Sequence, residues 1–221
     1  PGKKLIQNND GEVIGVIAEQ NGTTLHIGAR KGVIIATGGF EWNKDLVRAF
    51  LPGEPTHPLS PPHNEGDGLI MAMEVGAALA NMSDAWWYPA TQDPSIEYEG
   101  RVMNLINSPR SNAHSIIVNR HGKRFVNEGA SYKDMPRKFM LYDEVTQTYP
   151  NDSPAWLIFD SQLKNTQLVV TVPPSDPAPE WMYPSESLRE LAEKIGVDPD
   201  GLEETVKRFN ENAAKGIDRR T

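Results

Sequence analysis

The middle of the chain carries a tyrosine and a lysine side by side, Tyr132 and Lys133, in the polar stretch NRHGKRFVNEGASYKD of residues 119–134. A tyrosine hydroxyl ionises near pH 10, so a phenol takes up a proton at neutral pH only when a nearby cation or hydrogen bond favours its anion. Lys133, Arg124 and Arg110 are the candidate cations. Tyr132 is therefore a candidate proton acceptor, with an ordinary half-buried tyrosine as the alternative.

A second group of candidate residues follows an apolar run in the segment GVIIATGG. Residues 33–36 are continuously apolar, which is typical of a strand covered on both faces. Gly38 and Gly39 come directly after, and they let another molecule approach the backbone closely. Open α/β sheets bind nucleotides at such strand ends, although two glycines after a strand also form simple turns.

A helix is predicted from Gly66 to Ala80, because apolar residues recur at helical spacing in GDGLIMAMEVGAAL. Small residues at 76–78 would let this helix lie close to a sheet. Asp67 either caps the helix or lies beside free N–H groups that form a site for an anion or a polar cofactor edge. The candidate cofactor-binding residues are Thr37, Gly38, Gly39, Gly66, Asp67 and Gly68.

The elements around these residues have recognisable turn signals. Three strand-like runs in the first thirty residues are separated by Asp10-Gly11 and Asn21-Gly22, which predicts a β-meander. A hairpin is predicted from SIIVN to KRFVN, with its turn at residues 121–122, and AWLIFD is predicted to be a buried strand. Two proline-rich segments, residues 52–65 and 173–184, are predicted to be loops.

Two scaffold helices are predicted near the end of the chain. Ser187 and Glu190 form a capping box and Gly196 ends the first helix. Asp198 and Pro199 start the second. Earlier in the chain, the aromatic segment WWYP at residues 86–89 marks a junction, which is a domain interface or an apolar ligand pocket, the interface being favoured.

The composition excludes several classes of protein. The 221 residues carry a net charge of -8, which disfavours nucleic-acid binding, because phosphate recognition needs a concentrated basic face. No apolar run approaches the roughly 20 residues that cross a bilayer, and the first ten residues have no apolar core typical of a signal peptide. We predict no nucleic-acid partner and no transmembrane segment.

The absence of cysteine excludes disulfides, thiol nucleophiles and Cys-ligated metal centres. It is compatible with a reducing compartment, and we predict a cytoplasmic location. No metal site is predicted from the histidine and carboxylate positions. The sequence also contains no G-x-G-x-x-G, the phosphate-binding start of a dinucleotide-binding unit, so we expect the chain to be incomplete.

Five motifs in order resemble the flavoprotein family of fumarate reductases and 3-ketosteroid Δ1-dehydrogenases. They are VIIATGGFEWN, NEGDGLIMAMEVGAAL, SIIVNRHGKRFVNE, AWLIFD and LRELAEKIGVDPDGLEETVKRFNENAAKGID. The resemblance implies FAD as cofactor and an α/β and α+β fold. It places a partial FAD-binding domain of glutathione-reductase type at residues 1–85 and an α+β catalytic cap domain at 86–221. It also implies that these residues alone do not retain FAD tightly.

The two branches of this family differ after the RFVNE motif. Fumarate reductases carry there an arginine, followed by aspartate, that delivers a proton, whereas GASYKD has no arginine. Ketosteroid dehydrogenases carry a catalytic tyrosine at the corresponding place, and a gapless placement puts Tyr132 there. A shift of one residue would instead place Lys133 on the arginine. Arg110 lies where a proton-relay arginine occurs, as a relay or as scaffold.

The resemblance to the ketosteroid branch implies a dehydrogenase that desaturates a carbon-carbon bond next to a ketone, with Tyr132 as the catalytic group and Arg110 and Lys133 as further candidates. Its partners would be a small-molecule substrate and an electron acceptor. A fumarate or related dicarboxylate reductase is the alternative, and the missing arginine counts against it. A catalytically silent, cap-containing chain is the second alternative.

Overall fold

The computed structural model describes residues 1–52, 57–106, 108–152 and 154–217. The chain divides into two compact units, Pro1–Ala85 and Trp86–Thr221. Each unit combines helices with antiparallel strands, which confirms the mixed α and β composition. The identities of the two units as a partial FAD-binding domain and a cap domain stay predictions.

The first unit begins with the predicted meander. Strands β1 (Gly2–Gln7), β2 (Val13–Gln20) and β3 (Thr23–Gly28) pair in the order β1-β2-β3, and both pairs are antiparallel. Asn21 and Gly22 both have positive φ angles, as the tight turn between β2 and β3 requires. The prediction of a three-stranded meander is confirmed.

The strand predicted at residues 33–36 is wrong. These residues have no regular structure, and the side chain of Ile34 is 94% exposed. A strand needs a neighbouring strand for its backbone N–H and C=O groups, and within the described residues the meander pairs only with itself. The apolar composition of residues 33–36 favours a strand, but no neighbouring strand among the described residues forms backbone hydrogen bonds with it.

Two helices complete the first unit: α1 (Lys44–Phe50), capped by the Asn43 side chain, and α2 (Asp67–Glu74). Helix α2 is shorter than predicted, because the chain leaves the helix after Glu74 and Gly76 has a left-handed φ of 82°. Residues 76–78 therefore lie after the end of the helix, so their small side chains do not form the helix surface that was predicted to lie close to a sheet. Gln7 Nε2 donates to the Val75 carbonyl at 3.2 Å and ties β1 to the end of α2.

The second unit opens with a hairpin that the sequence analysis did not predict. Strand β4 (Ala90–Tyr98) pairs antiparallel with β5 (Arg101–Ile106) through a turn at Glu99 and Gly100, both with positive φ. Glutamate before glycine is not among the common hairpin dipeptides, so this turn had a weak signal.

The predicted hairpin from SIIVN to KRFVN is wrong in its second strand. Strand β6 (Ser115–Val118) is buried throughout and pairs with β7 (Trp156–Phe159), the predicted AWLIFD strand. Residues 123–127 make only a single bridge to β6, at Arg124. The Ile117 N–H, which a second strand would use, donates instead to the Glu128 carboxylate at 2.7 Å.

The turn that follows β6 forms as predicted and packs on a helix. Gly122 N donates to the Asn119 carbonyl at 2.9 Å. A Cβ on Gly122 would come within 3.0 Å of the Leu202 backbone nitrogen, and a Cβ on Gly201 would come equally close to a carbonyl oxygen of the turn. The turn and the helix Pro199–Ala213 are therefore in direct backbone contact, with no room for a side chain at either glycine.

The remaining helices are α3 (Ser161–Thr166), α4 (Leu188–Ile195) and α5 (Pro199–Ala213), with two short 3-10 helices at Ser108–Ser111 and Met135–Lys138. The N-cap predictions are confirmed, since Ser187 Oγ accepts from Glu190 N at 3.2 Å and Asp198 Oδ1 accepts from Asp200 N at 3.1 Å. The capping box differs from the prediction, because Glu190 Oε2 accepts from Glu186 N, one residue before the N-cap. One core contains apolar residues of β6, β7, α4, α5 and the link between the two helices: Ile116, Val118, Ile158, Ala192, Val197 and Leu202.

The proline-rich segments contain no helix or strand at residues 57–65 and 173–184. Residues 53–56 of the first predicted loop lie outside the described residues. None of the helices that the structure describes is long and apolar enough to cross a membrane. The same residues bring no three His, Asp or Glu side chains together in a way that would hold a metal ion.

Candidate functional site

The predicted cofactor-binding residues of the first unit lie together. Gly66 N donates to the Gly39 carbonyl at 3.0 Å, which places the segment after the apolar run against the start of α2. A Cβ on Gly68 would come within 3.0 Å of Thr37 Oγ1, so the helix packs directly on that segment. Two stretches separated by more than twenty residues thus form one surface.

Gly38 turns the chain at this surface. Its φ is 77°, and a Cβ would collide with the side chain of Asn64. The Asn64 amide also donates to Glu41 Oε1 at 2.8 Å. Its side chain therefore contacts the segment both at Gly38 and after Gly39. Asn64 was not predicted as a site residue, because no local sequence pattern distinguishes it.

Asp67 does not cap helix α2. The N-cap is Gly66, in the left-handed region, and no side chain accepts from the first turn. The first N–H groups of an α-helix have no intrahelical acceptor. The Asp67 carboxylate in the first turn disfavours a second negative charge at this helix end.

Tyr132 lies in an aromatic cluster in the second unit. Trp86 Nε1 donates to Tyr132 Oη at 3.0 Å, and the ring of Tyr88 stacks on the Tyr132 ring with centroids 4.8 Å apart. The two rings are inclined by 24°. The sequence predicted this cluster only as a junction, although its unusual density of aromatic residues was the available signal.

Arg110 lies next to this cluster and hydrogen-bonds to the backbone that precedes Tyr132. It is buried, and its Nη1 donates to the carbonyls of Glu128 and Ala130. Its guanidinium lies 5.8 Å from the centre of the Tyr88 ring. Arg110 and Tyr132 are therefore connected through Tyr88 and through the loop, an arrangement that suits the scaffold alternative. Arg110 Nε finds no acceptor among the described residues.

A buried ion pair fixes the same loop from another side. Arg124 Nη2 lies 2.5 Å from Glu128 Oε2, and both side chains are only 7% exposed. Arg124 also lies over the ring of Phe209 at 5.0 Å. Because Glu128 holds its guanidinium, Arg124 is a structural cation. An arginine four residues before a glutamate in RFVNE was the sequence signal for this pair.

Lys133 is exposed, and its backbone N–H donates to Ser131 Oγ at 3.3 Å. The next residue, Asp134, precedes the 3-10 helix Met135–Lys138 but its side chain does not cap it. Lys133 thus lies on the surface of the loop, whereas the neighbouring tyrosine is half-buried in the aromatic cluster.

One buried carboxylate was missed altogether. Asp93 on β4 accepts from Ser95 Oγ at 2.6 Å, from Ser95 N at 2.9 Å and from Thr171 Oγ1. The Ser95 hydroxyl first, then that of Thr171, lower the pKa of the Asp93 carboxyl below its usual value, against the effect of burial. The bond from Thr171 fastens β4 to the loop that contains this threonine, which is a structural role.

Comparison with known proteins gives relatives among flavoprotein oxidoreductases. The chain is 36% identical over 222 residues to a 4-oxocyclohexanecarboxylate 2-dehydrogenase of Sinomonas cyclohexanicum, covering 98% of this chain and 38% of the relative. A 3-oxosteroid 1-dehydrogenase of Mycolicibacterium smegmatis is 35% identical over 225 residues, covering 95% and 38%. A cytochrome-type fumarate reductase of Shewanella frigidimarina is 30% identical over 224 residues, covering 98% and 35%.

Among solved structures, the 3-ketosteroid Δ1-dehydrogenase of Sterolibacterium denitrificans, in complex with 1,4-androstadiene-3,17-dione, matches with a TM-score of 0.84 and 32% identity. The match covers 99% of this chain and 40% of that one. The chain thus spans about two fifths of the length of these proteins. The profile of the family described as FAD binding domain matches residues 2–221, and the chain belongs to that family.

Proposed function

We propose that the chain is part of an FAD-dependent dehydrogenase that desaturates a carbon-carbon bond next to a ketone, with Tyr132 as the base. Its cofactor is FAD, as family membership indicates. The observation that carries the proposal is the hydroxyl of Tyr132, held at 3.0 Å by the Trp86 N–H in an aromatic cluster. An exposed surface tyrosine would need no such support.

The reaction requires the loss of a proton and a hydride from adjacent carbons. The C–H bond next to the ketone breaks, its proton goes to Tyr132 Oη, and its electron pair becomes the second bond between the two carbons. When bound, FAD supplies the acceptor for the hydride that leaves the other carbon. The substrate is thereby oxidised by two electrons, and a positioned base of this kind accounts for about 10²–10⁴ in rate.

We propose a ring ketone, most specifically a 3-ketosteroid, as the substrate. The names of two relatives share a ring ketone and a dehydrogenation, one on a 3-oxosteroid and one on 4-oxocyclohexanecarboxylate. The rings of Trp86, Tyr88 and Tyr132 offer the apolar surface that a fused-ring substrate needs. An electron acceptor would be the second partner.

The two units would divide the work. We assign residues 1–85 to the FAD-binding domain, where the surface formed by Thr37, Gly38 and Gly39 with Gly66, Asp67 and Gly68 would hold part of the cofactor. Residues 86–221 would form the cap that contributes Tyr132. A cytoplasmic location stays a prediction.

A dicarboxylate reductase is the weaker candidate, because its substrate needs several cations to bind two carboxylates. Arg110 donates to backbone carbonyls and Arg124 is paired with Glu128, so both guanidinium groups serve the protein itself. Lys133 would remain as the proton donor in that candidate, on the exposed side of the loop.

The test compares two neighbouring substitutions in the complete flavoprotein that contains this chain. Tyr132→Phe should lower turnover of a 3-ketosteroid at least about a hundredfold, because it removes the base and keeps the ring. Flavin content and melting temperature should stay unchanged. Lys133→Met should keep near full activity. The opposite pattern, with Lys133→Met inactive and Tyr132→Phe active, would overturn the proposal.

The catalytically silent alternative has its own measurement. Flavin absorbance of the purified 221-residue chain, before and after addition of FAD, tells whether these residues hold the cofactor by themselves. Stoichiometric flavin would contradict the expectation that the chain alone binds FAD weakly, and it would leave the assignment of Tyr132 to the activity assay.

A further inference from the structure

We propose that Trp86 is a positioning residue for Tyr132, whose indole N–H orients the phenol and stabilises the oxyanion that accepts the substrate proton. The inference rests on the proposed role of Tyr132 as the base. It adds a residue that lies 46 positions earlier in the chain and that no local motif connects to the tyrosine.

The direction of the hydrogen bond follows from chemistry. An indole N–H donates and cannot accept, so Tyr132 Oη is the acceptor in the 3.0 Å contact with Trp86 Nε1. The hydroxyl proton of Tyr132 must then point away from Trp86. When that proton has left, the same donor lies beside a full negative charge, and hydrogen bonds to charged groups are about twice as strong as neutral ones.

The ring of Tyr132 is fixed by a second contact. Tyr88 stacks on it at 4.8 Å, which restricts movement perpendicular to the ring, while the bond from Trp86 fixes the oxygen within the plane. The charged and titratable groups near the phenol include Tyr88, Arg110 at 5.8 Å from the centre of the Tyr88 ring, and the chain neighbours Lys133 and Asp134. None of them donates to Oη in the described residues.

The exposure of Trp86 supports a local task. Its side chain is 82% exposed, so burial in a core does not account for its position. Water would satisfy an indole N–H equally well, yet this one is directed at the tyrosine oxygen. Because little packing depends on Trp86, its replacement by phenylalanine should leave the fold intact and keep an aromatic ring for the substrate, while the N–H donor is lost.

The first experiment is Trp86→Phe in the complete flavoprotein, which keeps an aromatic ring and removes the donor. We expect kcat for a 3-ketosteroid to fall about tenfold, KM to stay within about twofold, and the acidic limb of the pH-rate profile to move to higher pH. The neighbouring Trp87→Phe is the matched control and should leave both kcat and the profile unchanged. An unchanged kcat and profile in Trp86→Phe would overturn the inference.

A double-mutant cycle separates this inference from the proposed function. In a Tyr132→Phe background, Trp86→Phe should have no further effect, because the oxygen it serves is gone. An equal loss in both backgrounds would assign Trp86 a separate role and overturn the inference. Full activity of Tyr132→Phe alone would instead reject the proposed function.

A readout that needs no flavin is the ultraviolet absorbance of tyrosinate in the 221-residue chain. The difference between the wild-type chain and Tyr132→Phe isolates the ionisation of this one phenol. Trp86→Phe should move that ionisation to higher pH, since the phenolate loses its donor. The same midpoint with and without the indole N–H would refute the stabilisation of the oxyanion.

Discussion

The buried pair of Arg124 and Glu128 offers the sharpest test of how the loop before Tyr132 is held. Glu128→Gln keeps the shape of the side chain but removes the carboxylate charge that pairs with the guanidinium of Arg124, which is only 7% exposed. Loss of one partner of a buried ion pair costs about 3–5 kcal/mol. Against a total stability of about 5–15 kcal/mol, that loss is large.

Urea unfolding and thermal unfolding of the 221-residue chain, both followed by circular dichroism, measure this loss as a free energy and as a melting temperature. For a chain of this length about 2–4 °C of melting temperature accompanies each kcal/mol, so Glu128→Gln should melt roughly 6–20 °C lower. Arg124→Met should cause a comparable loss, because it leaves the Glu128 carboxylate buried and unpaired.

Two further variants test whether the loss of stability comes from the buried ion pair or from the removal of any charge. Arg189→Met, which removes an exposed ion pair with Asp200 and Glu203, should change stability far less because solvent screens those charges. Arg124→Met combined with Glu128→Met should recover part of the loss. Wild-type stability in Glu128→Gln would refute the reasoning.

The remaining predictions concern one carboxylate and one glycine. Because the pKa of Asp93 is lowered in the folded chain, its bonds contribute stability above its unfolded value near pH 4, and this is lost as pH falls through the folded value. Thr171→Val should therefore lower stability by about 1–3 kcal/mol at neutral pH and much less in acid, as urea titrations at the two pH values would measure. Gly68→Ala should lower the ratio of flavin to protein absorbance in the complete flavoprotein, because its Cβ would collide with Thr37, whereas Gly28→Ala has open space and should not. An equal ratio in both glycine variants would contradict the packing argument.

Elements with local signals could be predicted from the sequence. The turn between β2 and β3 of the meander lies at Asn21 and Gly22. The two last helices have capping residues within four positions of their ends. A turn or a cap is decided by a few neighbouring residues, so its signal lies in the sequence itself.

Strands without local partners could not be predicted reliably. Residues 33–36 have the composition of a buried strand but no strand beside them in the described residues, and residues 123–127 lose their place beside β6 because the Glu128 carboxylate takes the Ile117 N–H. Both outcomes depend on what a distant or irregular segment does, which hydrophobic periodicity does not encode.

The candidate site divides in the same way. Residue type and resemblance singled out Tyr132, whereas its partners Trp86 and Tyr88 lie more than forty positions earlier and were predicted only as a junction. Arg110 was predicted as a relay or scaffold, and its bonds to two backbone carbonyls could be found only in three dimensions.

The contact between Gly122 and the start of α5 bears on how the second unit moves. The backbone of the turn lies directly against the backbone of the helix there. Asp198 N also donates to the Arg120 carbonyl at 3.1 Å, so moving the turn along the helix would break this hydrogen bond. Arg124, which is paired with Glu128, adds a second contact with α5 because its guanidinium lies over the ring of Phe209 at 5.0 Å. The turn after β6 and the loop before Tyr132 therefore both contact α5, and we expect a substitution that shifts this helix to displace Tyr132 as well.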